Sequence, residues 1–258
     1  MRYLRAGSGP PLLLLHGLMG YSFSWRFAIP ALAPGRTCYA PDLLGAGFSD
    51  RPKMIDHSMR ATALSVVRFA ENLGLDSLDL LGTSRGGAVA MCVVAECLGQ
   101  GRPRIRSLTL VAPVNPYSPH GRWMAPWCGS PFGCLIVRAV LERFPSLYPY
   151  WHGRMFADPD RIPADSLEGY KAPLAIPGLF EHALSIVKTW SADLRELEAL
   201  LRNCHWFPRC SCGERMIRRF TFLRWSGWGD IFLARRGLCF RVWGTCRMKN
   251  VPRSLIGR

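Results

Sequence analysis

Acidic residues nearly vanish from the last part of the chain. From Arg202 to Arg258 there are thirteen basic residues and only two acidic ones, Glu214 and Asp230, in a chain of 258 residues and net charge +15. The preceding 201 residues are close to balanced. Histidine is also scarce: of six, the last is His205. Any chemistry that needs an imidazole late in the chain is therefore excluded beyond that point. Long apolar runs are missing too, and none approaches the roughly 20 residues of a membrane-spanning helix. Leu12–Leu15 is too short for the apolar part of a secretory signal and passes straight into His16-Gly17. There is no internal repeat and no low-complexity tract. Ten cysteines are present, five of them (Cys204, Cys210, Cys212, Cys239 and Cys246) in the basic tail. The expectation is a cytoplasmic protein with reduced thiols. A hydrophobic content of 49% over this length suits one sizeable domain with a true core, or a domain carrying an inserted lid.

What is present is organised around Leu78 to Gly87. Leu78, Leu80 and Leu81 end an apolar strand. Gly82-Thr83-Ser84-Arg85-Gly86 spells G-x-S-x-G, and Ala88 to Ala95 continue as an apolar helix. Strand, sharp turn and helix form the context in which this motif holds a serine in a strained conformation with its hydroxyl clear of the sheet. Gly82 and Gly86 are needed because a side chain at either would collide across the turn.

In chain order, Pro11–Leu15 reads as a buried parallel strand, followed by His16-Gly17-Leu18-Met19-Gly20. Ser22 and Ser24 offer caps to a helix over Trp25 to Leu32, with Pro30 kinking or ending it. Arg36–Ala40 reads as a strand, followed by a turn-rich loop from Pro41 to Pro52. Ser58–Leu73 is an amphipathic helix stopped by Gly74. Ile105–Val111 is a further strand, ending at Ala112-Pro113-Val114-Asn115-Pro116. Strands alternating with helices indicate an α/β fold with a mostly parallel sheet and flanking helices. Sites in such sheets lie at the carboxyl ends of the strands, where His16, Asp42, Ser84 and Asn115 fall. From Tyr117 to Trp190 prolines and aromatics are dense. This is read as an inserted helical cap with short helices near Leu135–Phe144 and Leu179–Ile186, or as a second small helical layer. Ser191–Leu201 is a helix. In the tail, Phe220–Leu223 and Leu238–Val242 are candidate strands.

His16-Gly17, the Pro41-Asp42-Leu43-Leu44-Gly45-Ala46-Gly47-Phe48-Ser49-Asp50 loop and Gly82-Thr83-Ser84-Arg85-Gly86-Gly87 together resemble the α/β-hydrolase superfamily, in its cap-bearing form. The resemblance runs from about Pro11 to Leu201. It implies a core over 1–116, a cap over 117–190 and a core helix over 191–201, and it leaves 202–258 as an atypical tail, whose plainest reading is a poorly ordered basic extension. It also implies that Ser84 Oγ attacks a carbonyl carbon, with the backbone N–H groups of Leu18 and Arg85 as oxyanion donors. A histidine must take the serine proton and an acid must orient that histidine. Serine in place of aspartate argues against dehalogenase and epoxide-hydrolase branches and favours esters, thioesters, lactones or activated C–C bonds. The expected partner is a small-molecule acyl substrate; no cofactor and no metal are implied.

The sequence departs from the family in two places. Met1 to Gly9 leaves room for one early strand, over Arg2–Arg5. The family acid often sits in Trp-Gly-x-x-Asp, but Trp228-Gly229 leads to Phe232 and Trp243-Gly244 to Arg247. His205 precedes both pairs, so acid and base are unassigned. His16 is expected to shape its loop, with the role of base as the lesser alternative. His120, His152 and His182 read as ordinary surface or capping residues of the cap, and His57 carries no signal. Three readings of the tail stand. A frame shift after about residue 201, leaving the family's own tail truncated, would explain the missing acid and base; the other two frames of the coding DNA would then reveal them. Cys204, His205, Cys210 and Cys212 are zinc-ligand types, though not at knuckle spacing. Arg218, Arg219, Arg235 and Arg236 with Trp225, Trp228 and Phe240 could serve nucleic acid or an anionic membrane. Two functions follow: a serine hydrolase of the α/β-hydrolase kind, or a catalytically inactive relative.

Overall fold

Leucines at four consecutive positions, Leu12 to Leu15, are all buried, because the strand they form is covered on both faces. The structure, a computed structural model, describes residues 1–52, 54–100, 103–114, 116, 126–143, 147–154, 162–203 and 239–241. Its strands are β1 (Tyr3–Ala6), β2 (Pro11–Leu15), β3 (Thr37–Pro41), β4 (Ser77–Thr83), β5 (Arg104–Val111) and β6 (Cys239–Arg241). They form one sheet in the order β1-β3-β2-β4-β5-β6. β1 runs antiparallel to β3, and all other pairings are parallel. The helices are α1 (Ala28–Leu32), α2 (Met59–Asn72), α3 (Arg85–Gln100), α4 (Pro131–Arg143), α5 (Leu147–Arg154), α6 (Ser166–Lys171) and α7 (Leu179–Asn203).

Alternation along β2 divides the core in two. Leu13 and Leu15, with Leu78, Leu80, Leu108 and Leu110, pack against α2, α3 and Leu197 of α7. Leu12 and Leu14, with Cys38 and Ala40, face Trp25 and the apolar side of α1. Each fully buried leucine contributes about 1.5–3 kcal/mol relative to exposure. α2 buries Ala63, Val66, Val67 and Ala70, a single helical stripe. Its N-terminus is capped by Ser58 Oγ, which accepts from the N–H of Ala61 at 3.1 Å. Gly74, with φ of +66°, ends the segment.

The expected α/β architecture, mostly parallel with flanking helices, is what the structure shows. Three details differ. The helix expected over Trp25–Leu32 is a 3-10 turn at Ser22–Trp25 followed by the short α1. Pro30 sits in the first turn of α1, where its missing N–H costs nothing. The helices read at Leu179–Ile186 and Ser191–Leu201 are one continuous helix of 25 residues; no breaker separates them. The early strand falls at Tyr3–Ala6, one residue later than read. In the tail, Cys239–Arg241 pairs with β5, within the strand read at Leu238–Val242. The other tail features, including Phe220–Leu223, the Cys204–Cys212 cluster and the Arg-Trp groups, lie outside the described residues. So do Asn115, His120 and His205. Among the described residues no helix is long and apolar enough to cross a membrane, and no group of three or more metal-ligating side chains occurs.

Candidate active site at the strand ends

β4 carries the chain to Thr83, and α3 starts at Arg85. Between them Ser84 has φ of +51°, in the left-handed region that side chains rarely adopt. Placing a non-glycine residue there costs on the order of 1–2 kcal/mol. Backbone bonds hold it in place. The N–H of Ser84 donates to Val111 O at 3.0 Å, and its own carbonyl accepts from Val114 and Gly87, each at 3.0 Å. The end of β5 thus clamps the turn from one side. Glycine is required around it. A Cβ on Gly82 would stand 2.4 Å from Gly86 O, and one on Gly86 would stand 2.3 Å from the carbonyl oxygens of both Leu15 and His16. The turn after β2 packs just as tightly: a Cβ on Gly17 would lie 3.0 Å from Ser84 Cβ. The Ser84 hydroxyl is hydrogen-bonded to no side chain among the described residues.

The loop after β2 runs through His16, Gly17, Leu18 and Met19, the last with φ of +59°. His16 is buried and its ring is fully used. A backbone N–H can only donate, so the contact from Leu43 N–H at 3.0 Å makes Nε2 the acceptor. Nδ1 then carries the proton and donates to Gly17 O at 2.8 Å. Burial holds the His16 pKa down to about 4. The ring therefore ties the loop after β2 to the loop after β3 and has no nitrogen left for Ser84. Asp42 anchors that second loop. Its carboxylate accepts from Ser22 N–H at 2.7 Å, Phe48 N–H at 2.9 Å and Arg2 Nη1 at 3.2 Å. Asp42 is spent on backbone and is not directed at Ser84.

Arg85 opens α3. Its N–H is one of the amide donors a helix start leaves without an intrahelical acceptor, and the helix dipole favours negative charge there. Its side chain is 4% exposed and reaches under the site. Nη2 donates to His57 O at 2.6 Å and to Thr62 Oγ1 at 3.2 Å. Burial lowers the guanidinium pKa to about 10, which still leaves it charged at neutral pH. Leu18 and Arg85 line one small cavity together with His16, Leu43, His182 and Ile186.

Two histidines were not anticipated. The rings of His57 and His182 meet edge to face with centroids 4.5 Å apart. His182 is not an ordinary surface residue: it lies in the first turn of α7, lines the cavity, and has its pKa lowered to about 3, mainly by burial. Nothing in the local pattern marks either residue, because the pair is made by a loop and a helix far apart in the chain. His182 packs against the loop after β3, where a Cβ on Gly45 would strike its ring at 2.0 Å. His152 packs its ring against Tyr170, with centroids 5.7 Å apart.

Comparison with known proteins bears on the fold. The chain is 38% identical over 96 residues to haloalkane dehalogenase 2 of Mycobacterium tuberculosis, a match covering 37% of this chain and 34% of that protein. It is 44% identical over 90 residues to the soluble epoxide hydrolase of a Corynebacterium species, covering 35% of this chain and 31% of that one. It is 31% identical over 113 residues to 2-hydroxy-6-oxo-2,4-heptadienoate hydrolase of Pseudomonas putida, covering 42% and 39%. The matches thus span about a third of the length of these curated relatives. Among solved structures, Cfl2 of Burkholderia cenocepacia superposes with a TM-score of 0.66 at 19% identity, covering 77% of this chain and 70% of that one. The family model described as the alpha/beta hydrolase fold matches residues 10–146. That match takes in more than half of the chain and all three motif loops, and the chain belongs to the α/β-hydrolase fold family.

Proposed function

We infer that this chain is a hydrolase in which Ser84 attacks the carbonyl carbon of an ester, thioester or similar acyl substrate. The observation that carries this reading is Ser84 itself, at φ +51° on the turn between β4 and α3. A strained serine there lifts its hydroxyl out of the hydrogen-bond ladder, and the strain is retained although glycine would remove it. The N–H groups of Leu18 and Arg85 are the proposed oxyanion donors. As Oγ bonds to the carbonyl carbon, the π electrons move to oxygen, and these two donors meet the charge that develops; losing one such donor typically costs about 2.7–4 kcal/mol of barrier. The serine proton passes to a base and then to the leaving alkoxide or thiolate, and water releases the acyl group. The first turn of α7 supports a cap role for the inserted helices, since Leu179, His182 and Ala183 line the cavity beside the loop after β2. Among the three curated relatives described above, the heptadienoate hydrolase is the one with an oxo compound in its name, which matches a serine nucleophile better than a halide or an epoxide does.

A second reading has its own observation. No imidazole among the described residues bonds the Ser84 hydroxyl, and His16 is committed to backbone on both nitrogens. This favours a catalytically inactive relative. A fluorophosphonate probe separates the two. Covalent labelling that disappears in Ser84→Ala establishes an activated serine; absence of labelling in the folded full chain establishes the inactive relative.

A further inference from the structure

Cys38, Cys92 and Cys97 are buried in the core. Burial pushes the Cys92 thiol up to about 12 and the Cys97 thiol up to about 11, so neither is a thiolate at neutral pH. Cys128 and Cys134 are different. Both are only half-buried, and they meet at the corner where a short helix over 126–129 turns into α4. The Cys134 thiol donates to the Cys128 carbonyl oxygen at 3.1 Å. A carbonyl oxygen lies about 2.4 Å from the Cα of its own residue, so the Cys134 sulfur is within about 5.5 Å of the Cys128 Cα. Hydrogen bonds fix this corner. Ser130 donates to Trp127 O from its N–H at 3.1 Å and from its hydroxyl at 2.7 Å. Ser130 in turn accepts from Gly133 N–H on its hydroxyl at 3.0 Å and from Cys134 N–H on its carbonyl at 2.8 Å. A Cβ on Gly133 would stand 1.9 Å from Trp127 O and 3.1 Å from the Cys128 Cα.

The corner stands between solvent and the site. On its outer side Trp127, Phe132 and Leu135 are 50%, 67% and 65% exposed. On its inner side Gly129 packs on α7, where a Cβ would lie 3.0 Å from Val187 O and 3.2 Å from Lys188 Cα. One residue earlier, Ile186 lines the cavity together with Leu179, His182 and Ala183 of the same helix. We propose that Cys128 and Cys134 are a redox-active dithiol, which a small-molecule disulfide oxidises to an intramolecular disulfide that tightens the corner against α7. The thiolate of one cysteine attacks a sulfur of the small disulfide and releases a small thiolate. The second cysteine, as thiolate, attacks the protein sulfur of the mixed disulfide and releases the other small thiolate. The protein gives up two electrons and two protons, and the small disulfide leaves as two thiols. The S–S bond of about 2.05 Å forms by rotation of the two side chains between staggered wells, because the corner already holds one sulfur beside the other residue's backbone. The pair acts independently of Ser84.

The test uses the full-length wild-type protein, equilibrated with reduced and oxidised glutathione in varied ratio, quenched in acid, alkylated and digested with trypsin. Cleavage after Arg122 and Arg138 gives a peptide over 123–138 that contains Cys128 and Cys134 and no other cysteine. The thiols of the tail are thereby kept out of the reading. The oxidised peptide is two hydrogens lighter and takes up no alkylating agent; dithiothreitol before alkylation restores both labels. In the folded protein the pair is half-oxidised at a glutathione ratio at least tenfold more reducing than the synthetic peptide 123–138 requires. Hydrogen exchange of the α7 amides slows at least threefold on oxidation of the wild-type chain and is unchanged by the same treatment in Cys134→Ser. The comparison of oxidised with reduced wild type holds even if that variant fails to fold. Equal ratios for protein and peptide overturn the dithiol, as does a map in which either cysteine carries only glutathione or is bridged to a cysteine elsewhere. A bridge that leaves α7 exchange unchanged overturns its action on the helix.

Discussion

The N–H of Leu43 donates to Nε2 of His16 at 3.0 Å, and that bond decides what the imidazole can do. With Nδ1–H on Gly17 O, the neutral ring is wedged between two loops, and a proton on Nε2 would break the contact to Leu43. The folded pKa of about 4 lies below the ordinary value of 6.5. Between those values the unfolded chain holds a proton that the folded chain does not. Stability therefore falls as pH drops from about 6.5 to about 4, by roughly 1.4 kcal/mol per unit from this ring. His182, lowered to about 3, acts in the same direction. Urea denaturation at pH 7 and pH 4.5 checks this: His16→Gln lowers stability at pH 7 and visibly flattens the loss on acidification.

Gly86→Ala tests the turn more severely. The new Cβ meets two backbone carbonyl oxygens at 2.3 Å, and neither can move without opening β2. A loss of more than about 3 kcal/mol, or no soluble protein, is expected, in line with overpacked sites. Gly99→Ala is the control. It lies in α3 with nothing within 4 Å of the added methyl, and it stabilises by up to about 1 kcal/mol through helix propensity. Thermal melts of the two variants should move in opposite directions.

Most of the sheet was readable because its signals are local. Pro11–Leu15 and the strand into Ser84 are short apolar runs bounded by glycine, and each appears within a residue or two of its reading. The three motif loops converge because parallel strands place their carboxyl ends on one side of a sheet. What stayed illegible depends on distant contacts. The His57–His182 pair is formed only when α7 packs over the loop after β3, and α7 has the same composition with or without that contact. The join between Ile186 and Ser191 was missed for a different reason: the Val187 to Trp190 stretch favours neither continuing nor stopping, and packing of Leu194 and Leu197 on the core carries the helix through. His16 shows the limit from the other side, since its place in the motif was evident while the bonds that occupy both nitrogens were not.

Asp193 joins three helices. From α7 it caps the N–H of Met59 at the start of α2, and its field acts on Arg85 at the start of α3. Asp193→Ala leaves a buried amide unmatched and removes the carboxylate whose charge opposes that of Arg85, a cost of about 2–4 kcal/mol. Asp193→Asn keeps an oxygen for Met59 and costs about 1 kcal/mol. Equilibrium unfolding in urea distinguishes the two, and equal losses would mean that the Met59 contact contributes nothing.

Ser84 allows stability and reactivity to be separated at one position. Ser84→Gly relieves the left-handed strain and raises stability by about 1 kcal/mol, while removing the hydroxyl and with it all labelling by a fluorophosphonate. Ser84→Val does the opposite for stability, because a β-branched side chain at φ +51° is strained further, by about 1–2 kcal/mol beyond serine. The order of melting temperatures should be glycine above serine above valine. A residue chosen for packing would show the reverse trend, since glycine would forfeit contacts and free backbone entropy in the unfolded chain. Finding serine lowest in strain and highest in stability would remove the argument that the turn holds Ser84 at a cost, and with it the structural basis for reading its hydroxyl as a nucleophile.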